Sequence, residues 1–63
     1  MPNNELRDAH ISQIKENAAA AIYQLEVLKL HIDMNTHGGK VNAIMTSMRA
    51  ITEEAEMLEA SSQ

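Results

Sequence analysis

The sequence predicts an all-α fold, an antiparallel hairpin of one long and one shorter helix that assembles as a homo-oligomeric helical bundle. Three observations carry this expectation. Residues 11–34 hold two apolar stripes at helical spacing, a Gly38-Gly39 pair interrupts the pattern, and a second heptad seam follows it.

The first helix is expected over about residues 4–36. Asn3 or Asn4 suits the N-cap position, since a short amide side chain accepts from a free backbone NH. Pro2 sits just outside, where it does no harm. No helix-breaking residue intervenes before Thr36, and Ala18 to Ala21 is the strongest helix-forming patch. Ser12 offers an alternative cap that would split residues 4–11 off as a short helix of their own. The first stripe is Ile11, Ile14, Ala18, Ala21, Leu25, Leu28 and Ile32, spaced three and four throughout. The second is Ala20, Tyr23, Val27, Leu30 and Met34, on nearly the opposite side. One neighbour cannot cover both, and a chain this short supplies only one other helix.

Gly38-Gly39 is the strongest break, and the turn is expected at residues 37–39, where glycine takes a left-handed conformation without a Cβ penalty. The second helix then covers about residues 40–60, with a frayed tail at 61–63. Its seam is Val41, Ile44, Met48, Ile51, Ala55 and Leu58. Folding about Gly38 sets Leu28 near Met48 and Leu25 near Ile51. The shorter second helix runs out near Lys15, leaving Leu6, Ile11 and Ile14 without a partner in the chain. The expected interface therefore comprises these three residues with Tyr23, Val27, Leu30 and Met34 of the second stripe. A twofold dimer forming a four-helix bundle is the simplest closed solution.

Length and composition point the same way. Sixty-three residues make one domain at most, near the lower limit for a self-supporting core. With no cysteine, neither a disulfide nor a thiolate metal site can staple it, and self-association is the remaining common source of buried area. The net charge of −4 is spread over both halves. Neither half carries the basic footprint that nucleic acid or an anionic membrane surface requires, so neither partner is expected. The longest apolar run, Ala18 to Tyr23, is far short of a membrane span of about 20 residues. Met1 to Glu5 lacks the positive start and apolar core of a signal peptide. A cytoplasmic location is the expectation.

His37-Gly38-Gly39-Lys40 is the most distinctive local sequence. At the start of a helix, free NH groups and the positive end of the dipole receive anions, glycines admit a ligand to the backbone, and Lys40 adds charge. With Arg49 these residues form a candidate anion site, although the glycine spacing of a phosphate loop is absent. His31, Asp33 and His37 do not share one helix face in the way a metal site needs, and no metal or cofactor is expected. No serine has a histidine near it in the helical pattern, and a bare hairpin encloses no pocket, so catalysis is not expected either. The functional expectation is a small homo-oligomer that acts by binding another protein as regulator, inhibitor or escort. The alternative is a binder of a small anionic ligand, such as a nucleotide, at an inter-subunit site near His37–Lys40.

Overall fold

The computed structural model describes residues 3–61, and side chains from residue 5 onward. Two helices, α1 (Asn3–Leu28) and α2 (Met34–Ser61), lie against each other as a hairpin, and no strand occurs among the described residues. Residues 62 and 63, and the side chains of Asn3 and Asn4 on which the expected N-cap rests, fall outside the described part. Helix α1 runs through Ser12 without a break.

The turn is not where the glycines suggested. It occupies residues 29–33, and Gly38 and Gly39 lie inside α2 with no positive φ. Asp33 explains why. Its carboxylate accepts from the Asn35 amide at 2.9 Å and from the Thr36 hydroxyl at 2.8 Å, and its carbonyl accepts from the amides of Thr36 and His37. This is an aspartate N-cap with a hydroxyl at the third helical position, and it meets the free amides that open a helix. The end of α1 needs no left-handed residue. Leu30 and His31 donate to the carbonyls of Val27 and Leu28 at 3.0 and 2.9 Å, which tightens the last turn. A glycine pair within a helix costs about 1 kcal/mol per residue relative to alanine, a smaller constraint than a satisfied cap and two matched helices.

Moving the turn changes the register. The helices are nearly equal, 26 and 28 residues, instead of long and short. Leu25 packs with Val41 and Met45 rather than beside Ile51, and Ile22, Ile32 and Met48 close around that cluster. Ile11, expected to overhang, is buried at 4% exposure, and Ala18 and Ala55 are buried as well. Along α2 the inward line is Gly38, Val41, Met45 and Ala55, with Met48, Thr52 and Glu59 half-buried. That is a three-four seam, but it takes Met45 and Thr52 where Ile44 and Ile51 were expected.

The second stripe of the first helix is also cut. Leu30 lies in the turn and is 80% exposed, while Met34 opens α2 and is half-buried. A Cβ on Gly38 would lie 3.3 Å from Met34 Cε, so the Met34 side chain folds over Gly38. Only Ala20, Tyr23 and Val27 remain on one face of α1.

Two outcomes follow. Gly39 has open space where a Cβ would stand, so Gly39→Ala raises unfolding free energy by about 0.5–1 kcal/mol. A fall in stability on chemical denaturation would instead place a turn there. Hydrogen bonds from the Thr36 hydroxyl and the Asn35 amide hold the Asp33 carboxyl below its ordinary pKa. A depressed folded-state pKa means this contribution is present above the unfolded value and is lost as pH falls through the folded one. Asp33→Ala lowers the thermal midpoint by about 5 °C at neutral pH, and its gap from wild type closes as pH drops below about 4. Thermal melts followed by circular dichroism across that range check both statements.

Candidate interaction face

Two helices side by side form a slab, and the Cα extents of 50 × 16 × 10 Å show one that is a single helix thick. Each helix buries only the line that faces the other. Residues three positions on from Ile11, Ala18 and Leu25 are Ile14, Ala21 and Leu28, turned about 60° to one side of that line. On α2 the equivalents are Ile44, Ile51 and Leu58, three positions on from Val41, Met48 and Ala55. These apolar flanks are half-open: Ile14 is 43% exposed, Ile51 40% and Leu58 57%.

The flanks meet on one face of the slab. Ile14, Ile51, Ala55 and Leu58 line a hollow of about 310 Å³, with Ala50 and Glu54 at its α2 edge. An adjoining hollow of about 250 Å³ shares Ile14 and Ile51 and adds Ala18, Met48 and Asn17. Together they form an open apolar groove between the helices, bordered by Asn17 on α1 and Glu54 on α2. Ile44, Ile51 and Leu58 were expected to pack within the chain; the register set by Asp33 turns them outward. The inward line on α2 includes Thr52 and Glu59, which an apolar search passes over, so Asp33 and Thr36 at cap spacing were the signal that could have placed it.

The surface area is that of an open slab. The chain exposes 4852 Å², whereas a compact monomer of 7.0 kDa exposes about 4,000 Å². The excess of about 800 Å² matches one side of a standard protein interface.

Of the other expected interface residues, Leu6 and Tyr23 are exposed and Val27 is half-buried. Tyr23 stands on the outer side of α1, away from the line that faces α2, so the structure divides the expected interface between two surfaces. Ile14 belongs to the groove, and Tyr23 does not.

The candidate anion site fares differently. His37, Gly39, Lys40 and Arg49 are exposed and Gly38 is buried. The start of α2 is Met34, not Lys40, and the Asp33 carboxylate already occupies the Asn35 amide. Lys40 therefore stands in the second turn, and the argument from a cation opposing the dipole no longer applies. Nine residues separate Lys40 from Arg49, which puts them on opposite sides of the helix and about 13 Å apart along it. Asp33, a carboxylate that a metal could use, is engaged in capping. Among the described residues no group of three or more metal-ligating side chains comes together.

Charges are sparse on the groove side. Lys15 Nζ meets Glu59 Oε1 at 3.1 Å, joining the two helices; Arg7–Asp8 pairs within α1 at 3.4 Å, and Glu26 meets Lys29, the first turn residue, at 3.8 Å. Lys15 follows Ile14 by one position and so turns about 100° away from it. Neither Lys40 nor Glu54 forms an ion pair within the described chain. No described helix is long and apolar enough to cross a membrane. Comparison with protein-family models, with curated proteins and with solved structures returns no match.

The Lys15–Glu59 bridge is partly shielded, with side chains 31% and 37% exposed. A double-mutant cycle with Lys15→Ala and Glu59→Ala gives a coupling of about 0.5–1 kcal/mol in low salt. Molar salt reduces it, because the pair is still reached by solvent. A coupling of zero in low salt would show that the two charges do not meet.

Proposed function

We propose that the protein is a non-enzymatic interaction module: hairpins associate through the apolar groove into a homo-oligomer, and the assembly acts in the cytoplasm by binding another protein as regulator, inhibitor or escort. The groove between α1 and α2 carries this reading. A continuous apolar face of this size on a small chain marks a contact surface, because monomers rarely leave one open. The slab has no second layer of its own to cover that face.

Several features support the non-enzymatic part. The hydroxyls of Ser47 and Ser61 donate to the carbonyls of Ala43 and Leu58 in their own helix, leaving no activated nucleophile there. The hollows are lined by alkyl groups, with Glu54 and Asn17 only at their borders. Binding of a further protein draws on the net charge of −4, which steers a basic partner surface. Tyr23 and Leu30, both exposed and outside the groove, are among the apolar contacts available to it.

Sedimentation equilibrium of wild type and Ile51→Glu tests the assembly. Wild type sediments as a dimer or larger species, and the buried charge introduced at position 51 shifts it to monomer by at least about a hundredfold in dissociation constant. Monomeric wild type, or an Ile51→Glu protein that stays associated, would remove the groove from the account. A photo-crosslinking side chain at position 23, used in cells that make the protein, tests the second step. Crosslinks to a different protein are expected, and crosslinking to nothing would end the partner-binding reading.

A further inference from the structure

The groove borders carry a pattern that identifies its occupant. On α2, beside Ile44, Ile51 and Leu58, the border positions are Lys40, Ser47 and Glu54, each seven residues apart. Glu54 lines the hollow directly, and a heptad brings Lys40 and Ser47 to nearly the same side of the helix. On α1 the border holds Asn17, which lines the second hollow, and Gln24 one heptad later.

Both borders are self-complementary when reversed. Lys40 and Glu54 stand at equal distances from Ser47, so an antiparallel copy of α2 centred on Ser47 sets each Lys40 beside the other chain's Glu54. The same reversal brings Ile44 within one residue of the other chain's Ile51. On α1, reversal about Ala21 faces Ile14 with Leu28 and brings the two amides, Asn17 and Gln24, nearly opposite.

The two centres lie at one height. Leu25 packs level with Val41 and Met45. Four residues back along α1 is Ala21, and four residues on from the middle of the α2 pair is Ser47. In an antiparallel hairpin these steps run the same way, so a single axis passes through both. Nothing in the folding of an isolated hairpin requires that coincidence. Both central residues are small, and the Ser47 hydroxyl already bonds to Ala43, so the helices can approach there without stranding a polar group. A face of 50 by 16 Å covers about 800 Å², which equals the surface excess and the area per partner of a stable dimer.

We infer that the groove is filled by a second copy of this chain, related by a twofold axis perpendicular to the helices at the height of Ala21 and Ser47. In that arrangement α1 packs antiparallel on α1, α2 packs antiparallel on α2, the turns lie at opposite ends, and Lys40 pairs with Glu54 across the axis. The inference rests on the groove being the contact face between copies and adds the number of copies, the symmetry axis and the register.

Charge exchange tests it with residues that are exposed and outside the hairpin core. Lys40→Glu alone sets two carboxylates against each other in both symmetry-related pairs, and Glu54→Lys alone confronts two ammonium groups. Each variant dimerises about tenfold more weakly than wild type at low salt. Mixing the two restores attraction in both pairs, and native mass spectrometry reads the heterodimer rising from the statistical half to about nine in ten. Molar salt returns it toward one half. The chain has no native cysteine, so Ser47→Cys gives a second readout, a disulfide-linked dimer on mild oxidation. If wild type dimerises and Ile51→Glu separates it, yet the mixture stays statistical and Ser47→Cys does not crosslink, the groove reading stands and this register is wrong. If wild type is monomeric, or Ile51→Glu remains dimeric, the groove reading fails and this inference with it.

Discussion

Two helices in contact cannot enclose anything. Each can bury only the strip that faces the other, and every further apolar residue must stay half in water. That constraint governs the rest of this structure. Among the described residues none of the large side chains is completely buried, and the core amounts to six small or medium apolar residues strung along the contact. The second apolar flank of each helix is then not surplus. It is an apolar strip that neither described helix covers.

Which flank is left outward depends on a carboxylate. Asp33 fixes the first residue of α2, and the first residue fixes the angular phase of every residue that follows. A turn at Gly38-Gly39 would have paired Leu25 with Ile51 and spent Ile44, Ile51 and Leu58 on the chain's own core. Capping at Asp33 rotates α2 so that Met45 and Thr52 point inward and those three point out. Two hydrogen bonds to an exposed side chain thus decide whether the hairpin is nearly complete alone or open along one face.

The parts of this that the sequence made legible are those set by periodicity. Two helices, with Ile11, Ala18 and Leu25 on a seam and an excess of apolar faces, follow from three-four spacing, and a short connection makes them antiparallel. The site of the turn did not follow, because Gly38-Gly39 is a louder signal than Asp33-Met34-Asn35-Thr36 although it is the weaker constraint. Glycine tolerates a turn without requiring one, whereas a free helix start demands acceptors for its amides. That single displacement carried through to the candidate site. It made Ile11 look unpaired, it hid Ile51 and Leu58 in an expected core, and it set Lys40 at a helix terminus that lies six residues earlier.

The polar borders of the groove bear on specificity more than on affinity. An apolar groove alone accepts many helices in many registers, since alkyl contacts carry little directional information. In the proposed dimer Lys40 and Glu54, displaced equally from Ser47, would favour the register of α2 on itself centred there, because a shift sets charges against isoleucine or against each other. In the same proposed dimer Asn17 and Gln24 would act alike on α1, where an amide facing Leu28 would lose its hydrogen bonds. Polar residues at such positions lower the attainable stability and select one arrangement. In the proposed dimer a chain with so small a core would gain its buried area from a second copy, and it is at the borders, where the residues are not apolar, that the sequence would determine how that copy is held.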